Sequence, residues 1–590
     1  MMGGTLLPER GLSGRAWRLR PADEQIALAI SQRFDIPEIM GRVMAGRGVG
    51  LDEAGDFLEP SFLKLMPDPS TLKDMDKAAE RIASAIRKNE LVAILGDYDV
   101  DGATSAALLF RFIHAAGGRA MTYIPDRLEE GYGPNPEALL GLREKGAGLI
   151  VTVDCGATAF ESLEVAANAG IDVVVIDHHD CEPRLPRAVA VVDPNRVDED
   201  GAYSMLAAVG VVFLAVVAIN RILRNEGHYG AARPPDLFQW VDLVGLGTVC
   251  DVVPLRGLNR AYVRHGLAMM AQRGNIGLAA LMDASKVSEK PTAYHMGFVL
   301  GPRINAGGRV GTSDLGVRLL TTENPAEAAE IASTLDTFNT GRRDIEAKVQ
   351  AEAMEQVEGG KGLFGRLIYV CGAGWHPGVV GIVASRLKEK YGKPACVVAI
   401  ENGIGKASAR SLPGFDIGAG IIAARQTGLV SAGGGHPMAA GFTVEEGRCA
   451  ELANFLASRL ENEVGEAELV PPLHLDGALS IAGATPGLMH KLEELAPYGT
   501  SNPEPRFWVA GAELVRVDVV KEQHLRCIFA DKMTGARIKA MAFRSIETDL
   551  GRTLLAGTGK RWHIAGRFKC DSWSGQEKVE MLLDDAALAG

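Results

Sequence analysis

The spacing of apolar and polar positions divides the chain into stretches of different texture. Between residues 91 and 194, short apolar runs ("LVAILGD", "MTYIPD", "GLIVTVDC", "DVVVIDHH", "AVAVVDP") alternate with segments of helical periodicity at Ala103 to Ala116, Pro136 to Lys145 and Phe160 to Ala169. Near-continuous Val/Ile strands separated by helices predict a parallel sheet covered on both faces. From Pro325 to Val357 the apolar positions Ile331, Leu335, Phe338, Ile345, Val349 and Val357 keep helical spacing, which predicts one long connecting helix. Residues 363–445 mix strands ("RLIYVCG", "PACVVAIE") with a helix over Val379 to Tyr391 and glycine-rich turns, so a second α/β domain is expected. After Pro471-Pro472 the pattern changes to short β-rich pieces such as "PRFWVAGAELVRVDVV", "HLRCIFADK", "ARIKAMAFR", "RWHIAGRFKC" and "EKVEMLLDD". These predict a small barrel or sandwich.

A chain of 590 residues is too long for one core and is expected to form three or four domains. The longest apolar run, Met205 to Ile219, is shorter than the ~18 residues of a spanning helix. It reads as a buried helix, and no membrane association is expected. The first residues carry arginines with no apolar stretch after them, unlike a secretory signal. Eight cysteines stand singly with no CxxC pair, which argues against a zinc ribbon, a redox motif or a disulfide framework. A reducing, cytoplasmic setting fits. The formal charge of −12 disfavours a polyanion partner only if it is evenly spread. Residues 501–570 hold 13 Lys or Arg against 7 Asp or Glu, so nucleic acid is not excluded.

The candidate chemistry sits at strand ends. "GDYDVDG" (96–102) closes the first apolar run, and Asp154 and the triplet Asp177-His178-His179 follow two others. The rim beyond the C-terminal ends of parallel strands is where open sheets gather ligands. Carboxylates converging there repel one another and raise one another's pKa unless a cation neutralises them. Carboxylates with one or two imidazoles suit Mn²⁺ or Mg²⁺. Two ions bridged by a shared aspartate suit in-line attack of water on phosphorus. Adjacent side chains in an extended segment point in opposite directions, so His178 and His179 are not expected to hold the same ion. His178 could be a ligand and His179 a hydrogen-bond or proton donor to the scissile phosphate.

Together, "GDYDVDGATS", "IPDRLEEGYG", "VTVDCG", "VVIDHH" and "GTVCDVVPL" resemble, in this order, the motifs of the DHH phosphoesterase superfamily, and within it the RecJ branch of single-strand-specific 5′→3′ DNA exonucleases. "GPRINAGGRVG", "GWHPGVVGIVASRL", "GGGHPMAAGF" and "LAPYGTSNPEPRF" resemble later segments of that family, so the likeness covers nearly the whole chain. The sequence departs from the family pattern where Thr500-Ser501 stand in place of an expected glycine before Asn502, and in "GKASARS", where a glycine is usual before the serine.

The resemblance implies an α/β multidomain fold: an N-terminal segment (1–75) packing on a parallel-sheet DHH catalytic domain (76–322), a connecting helix (323–360), a DHHA1-type substrate-binding domain (361–464) and a C-terminal β-rich OB-fold (465–590). It further implies Asp97, Asp99 and Asp154 around one ion, Asp101, Asp154, His178 and Asp251 around a second, and Asp177 as a supporting carboxylate. Arg303, Asn305, Arg309, His376, Ser408, Arg410 and His436 are the implied substrate contacts. From the residues themselves, Arg303 and Arg309 read as lying in a glycine-rich loop whose exposed N–H groups could hold phosphate. The amides near His376 precede a helix and could do the same. In the C-terminal barrel Phe507, Trp508, Phe529, Phe543, Trp562, Phe568 and Trp573 are candidates for base stacking, with about two in three expected to be core.

The implied function is metal-dependent removal of mononucleotides from the 5′ end of single-stranded DNA in recombination and repair. A monomer is expected, with a single-stranded-DNA-binding protein and a RecQ-type helicase as implied partners. Two alternatives stay open on sequence alone: a phosphoesterase of short oligonucleotides, cyclic dinucleotides or pyrophosphate, and a DNA-binding scaffold without catalysis.

Overall fold

The computed structural model describes residues 7–126, 130–464, 470–571 and 577–589. Trp573 and residues 127–129 of the "IPDRLEEGYG" motif lie outside them.

The first domain is built on five parallel strands in the order Arg119–Tyr123, Leu91–Gly96, Ala147–Val153, Val173–Ile176, Ala190–Val192. Residues 92–96 and 173–176 are buried throughout because helices cover both faces of the sheet, which accounts for their unbroken apolar runs. Strand order reverses between Leu91–Gly96 and Ala147–Val153, so the crevice at their C-terminal ends is the topological switch point of the sheet. Asp97 and Asp154 follow those two strands. The apolar run expected to be a buried helix is one, Ala208–Asn225, with most of its residues inside the core.

The connecting helix runs unbroken over Pro325–Glu358, N-capped by Asn324, whose side chain accepts from Ala326 N. One end packs in the first core through Ala328, Ile331, Ala332 and Leu335, and the other in the second domain through Val349, Ala353 and Val357. That domain holds a six-stranded mixed sheet in which Leu367–Ala373 and Ala395–Glu401 are parallel and the other pairs antiparallel.

The C-terminal strands Phe507–Val520, His524–Ala530, Arg537–Ala542, Lys578–Leu588 and Arg561–Asp571 close on themselves through pairing of the first with the last. Residues 537–542 and 578–588 meet in parallel. This is a five-stranded closed barrel of OB type. Its interior takes most of the aromatics: Phe507, Trp508, Phe529, Trp562 and Phe568 are all buried, and Phe543 alone of the six described candidates is exposed. The expected share of stacking residues is therefore reduced to Phe543, beside His524.

The N-terminal segment packs differently from the expectation that it lies on the DHH domain. Residues 17–19 add a parallel strand to Leu473–Leu475, and the Trp17 indole donates to Asp585 at 2.8 Å. Ile30, Met40, Val43, Met44 and Phe57 share one core with the barrel residues Phe507, Leu514 and Ile564. Only its later part, including Phe62 and Leu72, enters the first domain's core. The physical reason is that the segment's apolar helix faces are buried against apolar residues of the barrel. The junction is fastened by Arg260, which is 1% exposed. Its guanidinium donates to the carbonyls of Phe57 (2.7 Å), Leu495 (2.9 Å), Ala496 (2.8 Å) and Pro497 (3.3 Å).

Candidate metal centre

The "DYDVDG" segment turns directly from strand into the helix Val100–Ala115, three residues before the start read from periodicity. Asp99 is its N-cap, with Oδ1 accepting from Asp101 N (2.9 Å) and Gly102 N (3.1 Å), the usual service of an aspartate at that position. Gly102 is demanded by close approach: a Cβ there would stand 2.3 Å from Asp97 O. Asp101 lies inside the first turn, 1% exposed. Its carboxylate accepts Ala208 N (2.6 Å) and Val209 N (3.0 Å), the first amides of the apolar helix.

Asp154 follows the third strand with φ +62, a left-handed conformation that aspartate tolerates better than most residues. Asp251 caps the C-terminus of Val241–Cys250. A carboxylate there faces the negative end of the helix dipole, so its placement is unfavourable without a cation nearby.

Asp177 accepts from Ala157 N (2.9 Å), His178 N (2.8 Å) and His179 Nδ1 (2.8 Å). It orients both histidines and is in none of the donor sets below. Against the expectation that they point apart, the two rings lie close, with centroids 4.5 Å from each other. His178 Nδ1 donates to Leu206 O (3.1 Å), which fixes the tautomer and leaves Nε2 as a bare lone pair. That lone pair faces Asp154 Oδ1 at 3.2 Å and Asp101 Oδ2 at 3.9 Å. Asp251 Oδ2 lies 3.6 Å from Nδ1 of the same ring.

Three sets of donor atoms each fit within 4.8 Å: Asp97, Asp99 and Asp154; Asp101, His178 and Asp251; and Asp154, His178 and His179. The first has the same residues as one implied ligand group; the second holds three of the other group's four, Asp154 falling instead into the first and third sets. His178 Nε2 and Asp251 Oδ2 are buried without a hydrogen-bond partner. Burial, then the charges of neighbouring carboxylates, push Asp101 and Asp154 well above the usual range and Asp251 up to about 7. Burial and the neighbouring His179 lower His178 to about 4, so its imidazole is neutral. A lone pair aimed at carboxylate oxygens is repulsive as it stands and favourable around a divalent cation. The residues present fit Mn²⁺ or Mg²⁺.

His179 is the opposite case. Burial works against its charge, but the hydrogen bond and charge of Asp177 prevail and raise it to about 9.

Two residues here were not singled out from sequence. Tyr132 donates from its hydroxyl to Asp154 O (3.1 Å), and the same oxygen lies 3.2 Å from His179 Nδ1. It belongs to the quoted "EEGYG" motif, which was the available signal. Asn195 donates from Nδ2 to His178 O (2.5 Å) and Ser204 O (3.3 Å). It follows "VVDP" at the same strand-end rim.

The implied substrate contacts divide. Arg303, Asn305 and Arg309 lie on the helix Gly301–Val310, not in a loop. The glycines serve packing: a Cβ on Gly308 would approach Tyr98 O to 3.0 Å. The backbone amides expected to hold phosphate are spent within the helix. Asn305 is half-buried on it. Arg303 turns to the connecting helix, with Nε 2.8 Å from Asp336 Oδ1 and Nη1 donating to Val299 O (2.7 Å). Arg309 instead reaches the second domain and donates to Gly378 O (2.9 Å), whose amide donates to His376 Nδ1 (3.0 Å). Ser408 and Arg410 are joined by a 2.8 Å hydrogen bond. They lie against the first turn of Val380–Tyr391, where a Cβ on Gly381 would stand 3.0 Å from Arg410 Nη2 and 3.1 Å from Ser408 Oγ. His436 faces Asp180, the residue after His179, at 3.7 Å.

This fold and donor set define a metal-dependent phosphoesterase of the DHH type. Family models agree in chain order: the DHH family, N-terminal domain, matches residues 91–248, the DHHA1 domain 364–462 and the RecJ OB domain 475–585. The chain is 32% identical over 580 residues to the single-stranded-DNA-specific exonuclease RecJ of Bacillus subtilis (strain 168), covering 97% of this chain and 71% of that protein. It is 34% identical over 560 residues to that of Dickeya dadantii (strain 3937), covering 93% and 96%. The crystal structure of RecJ in complex with Mn²⁺ from Thermus thermophilus superimposes with a TM-score of 0.81 at 28% identity, covering 97% of this chain and 80% of that one. The chain belongs to the RecJ family.

Proposed function

We propose that this protein hydrolyses single-stranded DNA from its 5′ end, releasing mononucleotides, in DNA recombination and repair. The observation that carries the reading is the pair of donor clusters meeting at Asp154, with the neutral His178 lone pair directed into them. The relatives named above are single-stranded-DNA-specific exonucleases, and the 5′→3′ polarity follows from the resemblance of the motifs.

Asp97, Asp99 and Asp154 would hold one cation, and Asp101, Asp154, His178 and Asp251 the other. Bound Mn²⁺ or Mg²⁺ supplies charge stabilisation at the phosphate and activates water for in-line attack. The chain's own residues do the rest. Asp177 keeps His179 protonated and aimed at the rim, where it can donate to a phosphate oxygen. Tyr132 ties His179 to the Asp154 backbone. His376, Ser408, Arg410 and His436 belong to the second domain and Arg309 reaches it from the helix Gly301–Val310, and their cations and amides would favour phosphate there.

We divide the chain into a catalytic unit (76–322), a connecting helix (323–360), a strand-binding domain (361–464) and a barrel (465–590), acting as a cytoplasmic monomer. A single-stranded-DNA-binding protein and a RecQ-type helicase are the partners that would prepare its substrate.

A long single strand labelled at either end, incubated with Mn²⁺, tests the reading. Early release of the 5′ label by this protein and not by Asp154→Ala supports it. Early release of the 3′ label overturns the polarity, and equal turnover of a dinucleotide and a long strand favours a short-oligonucleotide phosphoesterase.

A further inference from the structure

Tyr294 and Phe298 stand on the surface with 63% and 68% of their area exposed. Their rings stack on one another, with centroids 5.3 Å apart and planes 26° from parallel. Large rings are normally claimed by the core, so a preordered exposed pair calls for a ligand. The pair is held from beneath. Met296 and Leu300 are fully buried, and His295 accepts from Thr292 N (3.1 Å) while its other nitrogen lies 3.0 Å from Glu289. The turn His295–Leu300, which carries Phe298 and starts directly after Tyr294, is π-helical, a conformation that gathers at functional sites.

Its place in the fold identifies the ligand. Cys250 Sγ lies 3.4 Å from Met296 O, and a Cβ on Gly301 would stand 2.5 Å from that sulfur. The π turn is therefore pressed against the residue preceding Asp251. From there the helix Gly301–Val310 crosses the rim to Tyr98 in the metal loop. The two rings thus stand on the exposed side of a turn whose buried side meets the residue before Asp251. Val252, 67% exposed, adds an apolar side chain directly after Asp251, and Lys286 and Lys290 are exposed in the segment preceding the turn.

We propose that Tyr294 and Phe298 form a stacking platform for nucleobases of the DNA strand engaged at the metal centre, a contact that rests on the proposed function. An aromatic face accepts any base, so the contact is indifferent to sequence. Rings with few rotamers, already stacked, lose little freedom on binding. The bases they take lie outside the reacting phosphodiester, so the platform contributes to strand retention and not to bond cleavage.

The test is steady-state hydrolysis of a long single strand with Mn²⁺ by the full chain. In Phe298→Ala and Tyr294→Ala, KM rises by about tenfold, the range expected for one lost base contact, and the loss falls on KM and not on kcat. The dependence of KM on salt keeps its slope, because no phosphate contact is removed. Phe298→Trp retains the wild-type KM. A second arm needs no substitution: one abasic nucleotide is moved along the strand from its 5′ end. At one register it raises KM in the unaltered protein, and that effect disappears in Phe298→Ala.

Normal hydrolysis with KM insensitive to the abasic nucleotide at every register overturns the platform while leaving the nuclease reading intact. Loss of a dimer in sedimentation on Phe298→Ala, with KM unchanged, would assign the pair to self-association instead. Absence of any metal-dependent hydrolysis counts against the function itself.

Discussion

Nε2 of His178 faces Oδ1 of Asp154 across 3.2 Å, with the ring's proton committed on the far side to Leu206 O. With Asp154 ionised, two electron pairs are directed at one point, an arrangement that a cation would relieve.

Acidity should govern the stability of the metal-free protein. Asp251 is raised from 3.8 to about 7, and burial and mutual repulsion raise Asp101 and Asp154 as well. A raised folded-state pKa stabilises the metal-free protein fully below about 3.8, and that stability is lost as pH climbs through about 7. Metal binding needs the deprotonated forms. The metal-free melting temperature should therefore fall between about pH 4 and pH 7, and added Mn²⁺ should restore it. Calorimetry in buffers of different ionisation enthalpy should show proton release on Mn²⁺ binding that declines above about pH 7. A metal-free melting temperature that rises over this window would contradict the scheme.

Asp154→Asn should abolish hydrolysis while raising the metal-free melting temperature, because it removes the most crowded charge. Asp154→Ala should be equally inactive but less stable than the Asn variant by about 1 kcal/mol, since alanine lacks the local hydrogen bonding that helps asparagine occupy a left-handed site. Denaturant titration of the two variants compares them directly.

Tyr132→Phe keeps the ring and removes one hydroxyl that touches both Asp154 O and His179. A hydrogen bond worth about 1 kcal/mol corresponds to roughly a fivefold fall in kcat. Unaltered Mn²⁺ affinity in the same variant would place the loss on His179 and not on the ligands.

Arg260→Met should cost about 3 kcal/mol or more, because the carbonyls gathered at the junction lose a buried charged donor. Scanning calorimetry should then resolve separate unfolding of the barrel and the catalytic unit where the parent shows more coupled melting.

Ser501 has φ +63, in the stretch where the sequence departs from the glycine of its family. Ser501→Gly should stabilise the protein by up to about 1 kcal/mol, the left-handed penalty outweighing the added unfolded-state entropy. Hydrolysis should not change.

Much of this is legible in the linear sequence because the strand-end aspartates need only the parallel-sheet pattern to be brought together. Asp251 is less so: nothing local in "TVCDVVPL" distinguishes it from an exposed helix-end residue, and its meaning depends on His178, which arrives from another strand. Arg303 and Arg309 read as loop residues because Gly301, Gly307 and Gly308 look like breakers, when they permit a helix to lie close against Tyr98 and the connecting helix. The N-terminal segment's docking on the barrel is invisible, since its helices are amphipathic in a way that fits any apolar surface. Whether aromatics in the barrel face inward likewise depends on strand register, which the alternating pattern supports only once the partner strands are known.

The parallel pairing of Trp17–Leu19 with Leu473–Leu475 has a consequence for biosynthesis. The helices carrying Ile30, Met40 and Met44 leave the ribosome before the barrel residues that cover them have been translated. During that interval they present an unfilled apolar surface, the kind of transient species that chaperones recognise. Maturation of this polypeptide is therefore a closing of the loop, in which one segment waits for another translated more than 400 residues later.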